Sequence, residues 1–244
     1  MVIRRAKIAA LISVLCLIGC GARFAIQDYY AVDAGDAFAE LLRRRAMFRH
    51  FSSNTVLEFI FIDKSIKLKC FINQIDSSRC SIELNGPLGV ALANIEIDSA
   101  HFIVNRPQTG QVYKGSLQES LALPELDMEI ERIDRLMGLL LPTPDVSLRW
   151  SITLARYSNP GSLGFKAGAD SLMLRLDYAP LRVLNEELWR SSELIFKRQY
   201  LYNSARQILP SKIVVQIDNL SLTLEYQSLT IFPNNRRPTS RIIL

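Results

Sequence analysis

The sequence predicts a mainly β protein with helices, an α+β domain organised around one large curved antiparallel sheet. Apolar and polar residues alternate over most of the chain from residue 55 to residue 233, which is the periodicity of strands with one buried face. Turn residues separate these segments at short intervals, and two other segments have helical periodicity. We therefore expect about eleven strands in a half-open barrel, with helices covering its concave face.

The first segment has the features of a secretory signal. Three basic residues, Arg4, Arg5 and Lys7, precede an apolar stretch from Ile8 to Cys20. This stretch is shorter than the about 20 residues that cross a bilayer, and its order of parts is that of a signal peptide. It ends in Leu-Ile-Gly-Cys, which resembles the bacterial lipobox, in which the Cys is acylated and the chain is cut just before it.

The lipobox divides the N-terminal region into residues 1–19, a signal peptide, and residues 20–32, the lipidated Cys20 and a tether. An ordinary signal peptide or an N-terminal anchor that contains a Cys is the alternative. Gly21 follows Cys20, instead of the Asp that typically retains a lipoprotein in the inner membrane. We therefore expect a periplasm-facing protein, anchored by lipid to the outer membrane of a Gram-negative envelope.

The charge balance argues against nucleic-acid binding. The formal net charge of +5 falls to +2 without the signal, because 26 of the 29 basic residues then remain against 24 acidic ones. The remaining basicity lies in Arg43, Arg44, Arg45 and Arg49 and in the tail at 234–244. These residues are either a solvated helix face and a loose terminus, or contacts for anionic headgroups or an acidic partner.

The main domain is predicted from 33 to 233, and it begins with an amphipathic helix from Asp33 to Phe48, capped by Asp33 or Asp36. Six predicted strands follow from Thr55. A second helix is predicted from Asp127, because apolar residues recur at helical spacing until Pro142 ends the run. About six more strands complete the domain.

The second helix is expected to help form a ligand groove. Two helices are too few to cover a sheet of about eleven strands, so part of its apolar face would remain as a groove suited to hydrophobic ligands. The predicted groove residues on this helix are Ile133, Leu136, Met137, Leu140 and Leu141.

Cysteine, histidine and catalytic motifs limit the chemistry. Cys70 and Cys80 flank the turn at 73–78, so they are either a cross-strand disulfide of an oxidising compartment or two buried thiols. We expect no metal site and no cofactor, because these two Cys and the distant His50 and His101 match no ligand spacing. The sequence contains no G-x-S-x-G, P-loop or H-E-x-x-H motif, so no enzyme is expected.

The stretch Asn85–Ile97, NGPLGVALANIEI, is similar to a turn and strand of the LolA/LolB lipoprotein-carrier superfamily. The order of lipobox, helix, strands, helix and strands also resembles this superfamily, in particular a LolB-like group of outer-membrane lipoproteins of unknown function. The resemblance implies a monomeric receptor that accepts lipoproteins from a LolA-like periplasmic carrier, holds their acyl chains in its groove and inserts them into the outer membrane. It also implies that Leu88, between Pro87 and Gly89, is a membrane-insertion tip; an ordinary turn residue packed on its own hairpin is the alternative.

A second class of function stays open on the sequence. An envelope assembly or scaffold lipoprotein would act by protein–protein contact and carry no lipid cargo. Its interface patch would consist of aromatic residues that are otherwise plain strand residues, namely Trp150, Trp189, Phe196, Tyr200 and Tyr202.

Overall fold

A computed structural model of the chain describes residues 33–61, 64–76, 78–123, 128–130, 138–178, 180–205, 207–217, 220–232 and 240–243. Its one long helix, α1, spans Ala34–Met47, as the sequence predicts. Asp33 caps it by accepting a hydrogen bond from the Gly35 amide at 3.2 Å, which satisfies one of the free amides of the first turn. Among the described residues no helix is long and apolar enough to cross a membrane.

Sixteen strands are formed by the described residues. The first group is β1 (Phe51–Phe61), β2 (Lys64–Gln74), β3 (Cys80–Asn85), β4 (Ala91–Ile97), β5 (His101–Arg106) and β6 (Gln111–Ser116). Two short strands, β7 (Leu121–Leu123) and β8 (Met128–Ile130), pair with each other. The last group is β9 (Ser151–Arg156), β10 (Gly161–Ala167), β11 (Asp170–Tyr178), β12 (Leu181–Arg190), β13 (Glu193–Leu201), β14 (Lys212–Ile217), β15 (Leu220–Ile231) and β16 (Ser240–Ile243).

The main sheet is antiparallel and larger than predicted. Its order is β6-β5-β4-β3-β2-β1-β15-β14-β13-β12-β11-β10-β9, which is 13 strands, and β16 also pairs with β15. The sheet does not close in the part of the chain that the structure describes, where β6 and β9 are its two edges. The expected large, open antiparallel sheet is therefore confirmed. The segment Ser240–Ile243, inside the predicted basic tail, extends it past the predicted domain end at 233.

One face of this sheet, the covered face, carries the buried side chains. Leu57 on β1 lies opposite Leu68 on β2 and Leu224 on β15, and all three are at most 3% exposed. The same alternation continues outwards, because Ile82 on β3 lies opposite Ile95 on β4 and both are buried. Each such side chain contributes about 1.5–3 kcal/mol relative to exposure, so the covered face is the core of the fold.

Helix α1 packs on the covered face near its β10 end. Its buried stripe includes Ala37 and Leu41, and the Phe38 ring lies 5.1 Å from the Phe165 ring of β10. The Ala34 amide donates a hydrogen bond to the Tyr157 hydroxyl at 3.0 Å, which fixes the start of the helix beside the β9–β10 turn.

The prediction of two helices over this face is not supported, since α1 alone is a long helix among the described residues. The second predicted helix was to begin at Asp127, but Met128–Ile130 is strand β8. Its register with β7 places Leu121 opposite Ile130 and Leu123 opposite Met128. Strand pairing therefore replaces the first predicted helical turn at 128–130, whereas Gly138 and Leu139, near the predicted end of this helix, are helical. Residues 131–137 lie outside the described residues.

Candidate functional site

The turn between β3 and β4, Gly86–Val90, holds its central residues in a left-handed conformation. The Gly86 amide donates to the Val90 carbonyl at 2.8 Å, which closes the loop at its base. Leu88 has φ 62° and ψ 14°, and Gly89 has φ 77°. A left-handed conformation is free for Gly but costs a branched L-residue about 1–2 kcal/mol. The backbone at residue 88 would therefore be less strained with a glycine.

Leu88 gains nothing from packing in return for this strain. Its relative exposure is 102%, so the alternative that it packs on its own hairpin is wrong. Val90 beside it is also exposed. Beneath the turn, a Cβ added at Gly86 would lie 3.3 Å from Leu92, so the base of the loop is closely packed while its tip is in solvent. The turn thus presents an apolar side chain to water at a cost in backbone energy, a combination that stability does not explain.

The second feature of the site is the segment Gly138–Trp150, which we call the strap. It contains two of the five predicted groove residues: Leu140 is buried at 2% exposure and Leu141 is half-buried. The other three, Ile133, Leu136 and Met137, lie outside the described residues. Val146 and Trp150 are also buried, so the strap adds apolar side chains to the core.

A buried ion pair on the covered face lies under the strap. Glu186 on β12 is directly opposite Arg198 on β13, their charged atoms Oε2 and Nη2 are 2.7 Å apart, and both side chains are 0% exposed. The Tyr200 hydroxyl donates to the same carboxylate oxygen at 2.5 Å. Burial lowers the pKa of Arg198, but the carboxylate of Glu186 outweighs it and the pKa lies above its ordinary value. Burial raises the pKa of Tyr200 well above its ordinary value.

This ion pair and its neighbours bind the strap backbone. Arg198 Nη1 donates to the Gly138 carbonyl at 3.0 Å, and the Asp145 amide donates to Glu186 Oε1 at 2.9 Å. The Tyr226 hydroxyl donates to the Leu140 carbonyl at 2.9 Å. Each charge-assisted bond of this kind is stronger than a neutral one, so the strap is held to the sheet by polar contacts inside an apolar core.

Helix α1 holds the same strap from its other side. Arg45 Nη2 lies 3.1 Å from Asp145 Oδ1, and Arg45 Nη1 donates to the Thr143 and Pro144 carbonyls at 3.4 Å. The sequence left two alternatives for the basic residues of α1, a solvated helix face or contacts with a partner. Neither applies to Arg45, because its side chain contacts the strap. Arg44 also turns inward, because it donates to the Leu181 carbonyl at 2.6 Å.

Sequence reasoning did not find Glu186 or Arg198. One signal was present: Phe196, Arg198 and Tyr200 share one face of β13 by strand periodicity, so a charged residue lies in an apolar row. Such a position requires a partner of opposite charge on a neighbouring strand. The β12–β13 register, with its irregularity between Leu188 and Trp189, decides which carboxylate that is.

A small pocket opens between α1, the strap and the 202–209 loop. It has room for about one water molecule, which is too little for an acyl chain. Within the described residues the Thr143 hydroxyl is buried there without a hydrogen-bond partner. The lining residues are Leu41, Arg44, Pro142, Thr143, Pro144, Val183, Tyr200, Tyr202, Ile208 and Leu209.

Of the two alternatives for Cys70 and Cys80, the structure has the two buried thiols and not the disulfide. Cys70 lies opposite Leu84 and Cys80 lies opposite Gln74, so the two Cys are four residues out of register and both thiols are free. Four strand residues span about 13 Å, whereas a disulfide needs Cα atoms within about 7 Å. Burial raises the pKa of both thiols, that of Cys80 to about 12, so they are inert structural residues.

The aromatic residues considered for an interface patch lie mostly inside the protein. Trp150, Phe196 and Tyr200 are at most 8% exposed, so the proposed aromatic interface patch does not exist as a surface; Trp189 and Tyr202 are partly buried. No three His, Cys, Asp or Glu side chains of the described residues lie close enough together to hold a metal ion. The predicted lipidation site, Cys20, lies outside the described residues.

No family model and no curated protein matches the chain. Several solved structures do. A LolA superfamily protein from Nitrosomonas europaea has a TM-score of 0.52 and 12% identity, over 80% of this chain and 94% of that protein. A putative outer membrane lipoprotein-sorting protein domain from Vibrio parahaemolyticus has a TM-score of 0.50 and 11% identity, over 82% of this chain and 93% of that one.

A DUF1329 family protein from Desulfovibrio piger matches with a TM-score of 0.53 and 10% identity, over 82% of this chain and 93% of that protein. At such identities a structural likeness establishes the fold and leaves the function to be argued from the site. This chain has the fold of the LolA superfamily proteins, as the resemblance of residues 85–97 implied.

Proposed function

We propose that this protein is a lipid-anchored protein of the outer membrane that binds acyl chains against its covered face and delivers acylated lipoproteins to the bilayer, as a LolB-like receptor. The single observation that carries the proposal is Leu88, fully exposed and held at positive φ. The shared fold supports it, because one structural neighbour is described as a putative outer membrane lipoprotein-sorting protein domain. The reaction is a hydrophobic transfer and requires no covalent chemistry and no cofactor.

The role of Leu88 follows from the size of its transfer free energy. A fully exposed Leu gains about 1.5–3 kcal/mol when it enters an apolar phase. This is enough to orient the turn towards hydrocarbon and too little to anchor the protein there. The turn therefore contacts the membrane reversibly, as a delivering protein must.

The anchor itself is assigned to the acyl chains of Cys20. Two or more chains hold a protein on a bilayer, because each buried methylene adds about 0.8 kcal/mol. Cys20→Ala should abolish metabolic labelling with a fatty-acid analogue and release the protein from outer-membrane fractions. Equal labelling of the variant and the natural protein would end the lipoprotein assignment.

The acyl chains would bind where the strap now packs. Leu140 of the strap is buried and Leu141 is half-buried in the core. The small pocket nearby is lined by residues of the strap, α1 and the sheet. When cargo binds, the acyl chain displaces the strap and takes the place of its apolar side chains. The covered face then stays out of water, so the displacement exposes no additional apolar surface of the sheet. The cargo would arrive from a LolA-like soluble carrier.

A two-step assay tests delivery. Acylated lipoprotein is first transferred from the carrier to this protein and then from this protein to liposomes. Leu88→Glu should leave the first step intact and slow the second, because a carboxylate is costly at hydrocarbon depth. Ile75→Glu is the matched control. Ile75 is a half-exposed apolar residue in the turn between β2 and β3, which lies at the opposite end of β3 from the Leu88 turn. Normal rates for both steps in Leu88→Glu would refute the proposed tip.

The alternative function, an assembly or scaffold lipoprotein without lipid cargo, is favoured by the close packing of the covered face. Its core residues are buried by side chains of this chain, and the pocket beside the strap holds about one water. The two functions differ in what the purified protein contains. A carrier co-purifies with fatty acids or binds a fluorescent acyl probe, and a scaffold does neither.

A further inference from the structure

The turn that carries Leu88 is one of two neighbouring hairpin tips. Strands β3 and β5 both pair antiparallel with β4, so they run in the same direction and end at the same rim of the sheet. The Gly86–Val90 turn follows β3, and the Pro107–Gly110 turn follows β5. We call this edge of the sheet the tip rim. The turn at Ile75–Arg79, between β2 and β3, lies at the opposite rim.

The two turns are tied together. The Gln108 side chain donates from Nε2 to the Ala91 carbonyl at 3.3 Å, so the second turn leans on the first residue of β4. The second turn is itself closed by the Gly110 amide, which donates to the Arg106 carbonyl at 2.9 Å, and Gly110 has the positive φ of 67° that this closure requires. The tip rim therefore presents two linked loops to a surface.

Exposed apolar side chains continue from the first loop to the second. Val90 is 49% exposed and Val112, directly after the second loop, is 66% exposed. Single exposed apolar residues are common on any protein. Here Leu88, Val90 and Val112 occur on adjacent hairpins at one rim, and strand β6, which carries Val112, is an edge of the sheet.

The two loops themselves carry no carboxylate, whereas the next hairpin at the same rim, between β1 and β2, contains Asp63 in its sequence and Glu58, which lies 3.4 Å from Lys67. The segments 84–95 and 99–118, which contain both loops, have no Asp or Glu. Arg106 ends β5, and the exposed Lys69 lies opposite Asn85, the last residue before the Leu88 turn. The carboxylates of β3 and β4, Glu83 and Glu96, lie further along their strands.

We propose that the tip rim, with both hairpin loops and Val112 as well as Leu88, docks on a bilayer surface that contains anionic phospholipid headgroups. The inference rests on the proposed function and deepens it, because it names a second contact loop and the lipid chemistry. Two loops with exposed apolar side chains, no carboxylate of their own and cations nearby match such a surface, where each basic residue near the headgroups favours binding.

Tryptophan depth probes test the geometry. Leu88→Trp, Val112→Trp and, as the opposite-rim control, Ile75→Trp are each reconstituted as full chain in vesicles, and quenching by bromine-labelled lipids is measured. The unsubstituted protein corrects for its own Trp150 and Trp189. We expect quenching at 88 and 112 and none at 75, and stronger quenching with 30% phosphatidylglycerol than with phosphatidylcholine alone, on the order of several-fold.

A charge pair at one site tests the lipid chemistry. Gln108→Glu and Gln108→Lys place opposite charges in the second loop; the Lys ammonium can still donate to the Ala91 carbonyl and the Glu carboxylate cannot, so binding to phosphatidylcholine vesicles is measured as the baseline of each variant. One charge near an anionic surface changes partitioning about five-fold, so relative to this baseline the Lys variant should dock about thirty-fold more tightly than the Glu variant on phosphatidylglycerol vesicles. Equal docking of both variants on anionic vesicles, relative to the same baseline, would overturn the proposal.

The outcomes separate this inference from the proposed function. Quenching at 88 without quenching at 112 refutes the second loop and leaves the tip. Quenching at 75 alone places the membrane at the other rim and refutes the inference. If the rim docks on a carrier protein instead of lipid, 88 and 112 are protected by the carrier and unquenched by the vesicles, which also refutes it. Failure of the proposed function is seen separately, as the absence of acyl-probe binding.

Discussion

Replacing Arg198 by methionine should destabilise the protein by about 3–5 kcal/mol, because it leaves the carboxylate of Glu186 buried without its cation. Methionine keeps most of the aliphatic stem, so the change removes charge and hydrogen bonds with little loss of volume. The two charged atoms are 2.7 Å apart and neither side chain has any exposure, so water cannot replace the lost partner. The Gly138 carbonyl of the strap loses its donor as well.

This magnitude is large for a domain whose total stability is on the order of 5–15 kcal/mol. Urea unfolding followed by the fluorescence of the buried Trp150 measures it. With an m-value of about 2–3 kcal/mol/M, the midpoint should fall by about 1–2.5 M. The melting temperature should fall by about 6–20 °C at 2–4 °C per kcal/mol.

The double variant Glu186→Gln with Arg198→Met is the control. The Gln oxygen still accepts from the Asp145 amide or the Tyr200 hydroxyl, and no buried charge remains, so most of the lost stability should return. The double variant should therefore be at least about 2 kcal/mol more stable than the sum of the two single changes predicts. If Arg198→Met costs less than about 1 kcal/mol, or if the two changes are additive, the Glu186–Arg198 pair does not hold the strap to the sheet.

Three further predictions concern other parts of the fold. Leu140→Ala should lower stability by about 2–4 kcal/mol, because Leu140 is 2% exposed between strap and sheet; an unchanged melting temperature would show that the strap does not pack there. Hydrogen bonding from Arg43 lowers the pKa of Glu40 from 4.5 to about 2, so Glu40 contributes stability above pH 4.5 that is lost as the pH falls through about 2. Because the pair is largely exposed, Glu40→Gln should cost only about 0.5 kcal/mol at pH 7, and its urea midpoint should converge with that of the natural protein near pH 2, whereas a difference that persists there would contradict the assignment. Cys70 and Cys80 should resist thiol reagents until the protein unfolds, and a reducing agent should leave the urea midpoint unchanged; a shift would indicate a disulfide.

The sheet could be predicted from the sequence because strand periodicity is local. The alternation of Leu172, Leu174 and Leu176 predicted one buried face of β11, and all three are at most 1% exposed. The run of Leu222, Leu224 and Tyr226 did the same for β15. Each of these patterns depends on one strand alone, so no knowledge of its neighbours was needed.

Features that depend on register could not be predicted in the same way. Cys70 and Cys80 were placed opposite each other by assuming a turn centred between them, whereas pairing of Gln74 with Cys80 centres it at residue 77. A displacement of two residues in the turn centre moves one partner by four residues, because both strands shift in opposite directions. The pairing of Glu186 with Arg198 likewise depends on an irregular register that the sequence does not reveal.

The candidate site was predicted in part. The resemblance around Asn85–Ile97 selected Leu88, and its turn is where the sequence placed it. The positive φ of Leu88 was not predictable, since residue type argues against it. The predicted end of the second helix agrees with the structure at Gly138 and Leu139, which are helical, whereas the irregular course of the strap after Leu140 was not predicted.

The pairing of β1 with β15 has a consequence for the order of folding. These two strands are the first and fifteenth along the chain, yet Leu57 faces Leu224 in the middle of the sheet, a separation of more than 160 residues. Such a non-local contact carries a large loop-closure entropy and is formed slowly. Until β15 is synthesised and pairs with it, the eleven residues of β1 have one unpaired edge, and the apolar side chains that are buried in the folded protein remain exposed. A chain that ends before Leu220 should therefore aggregate through β1 instead of forming half of the sheet.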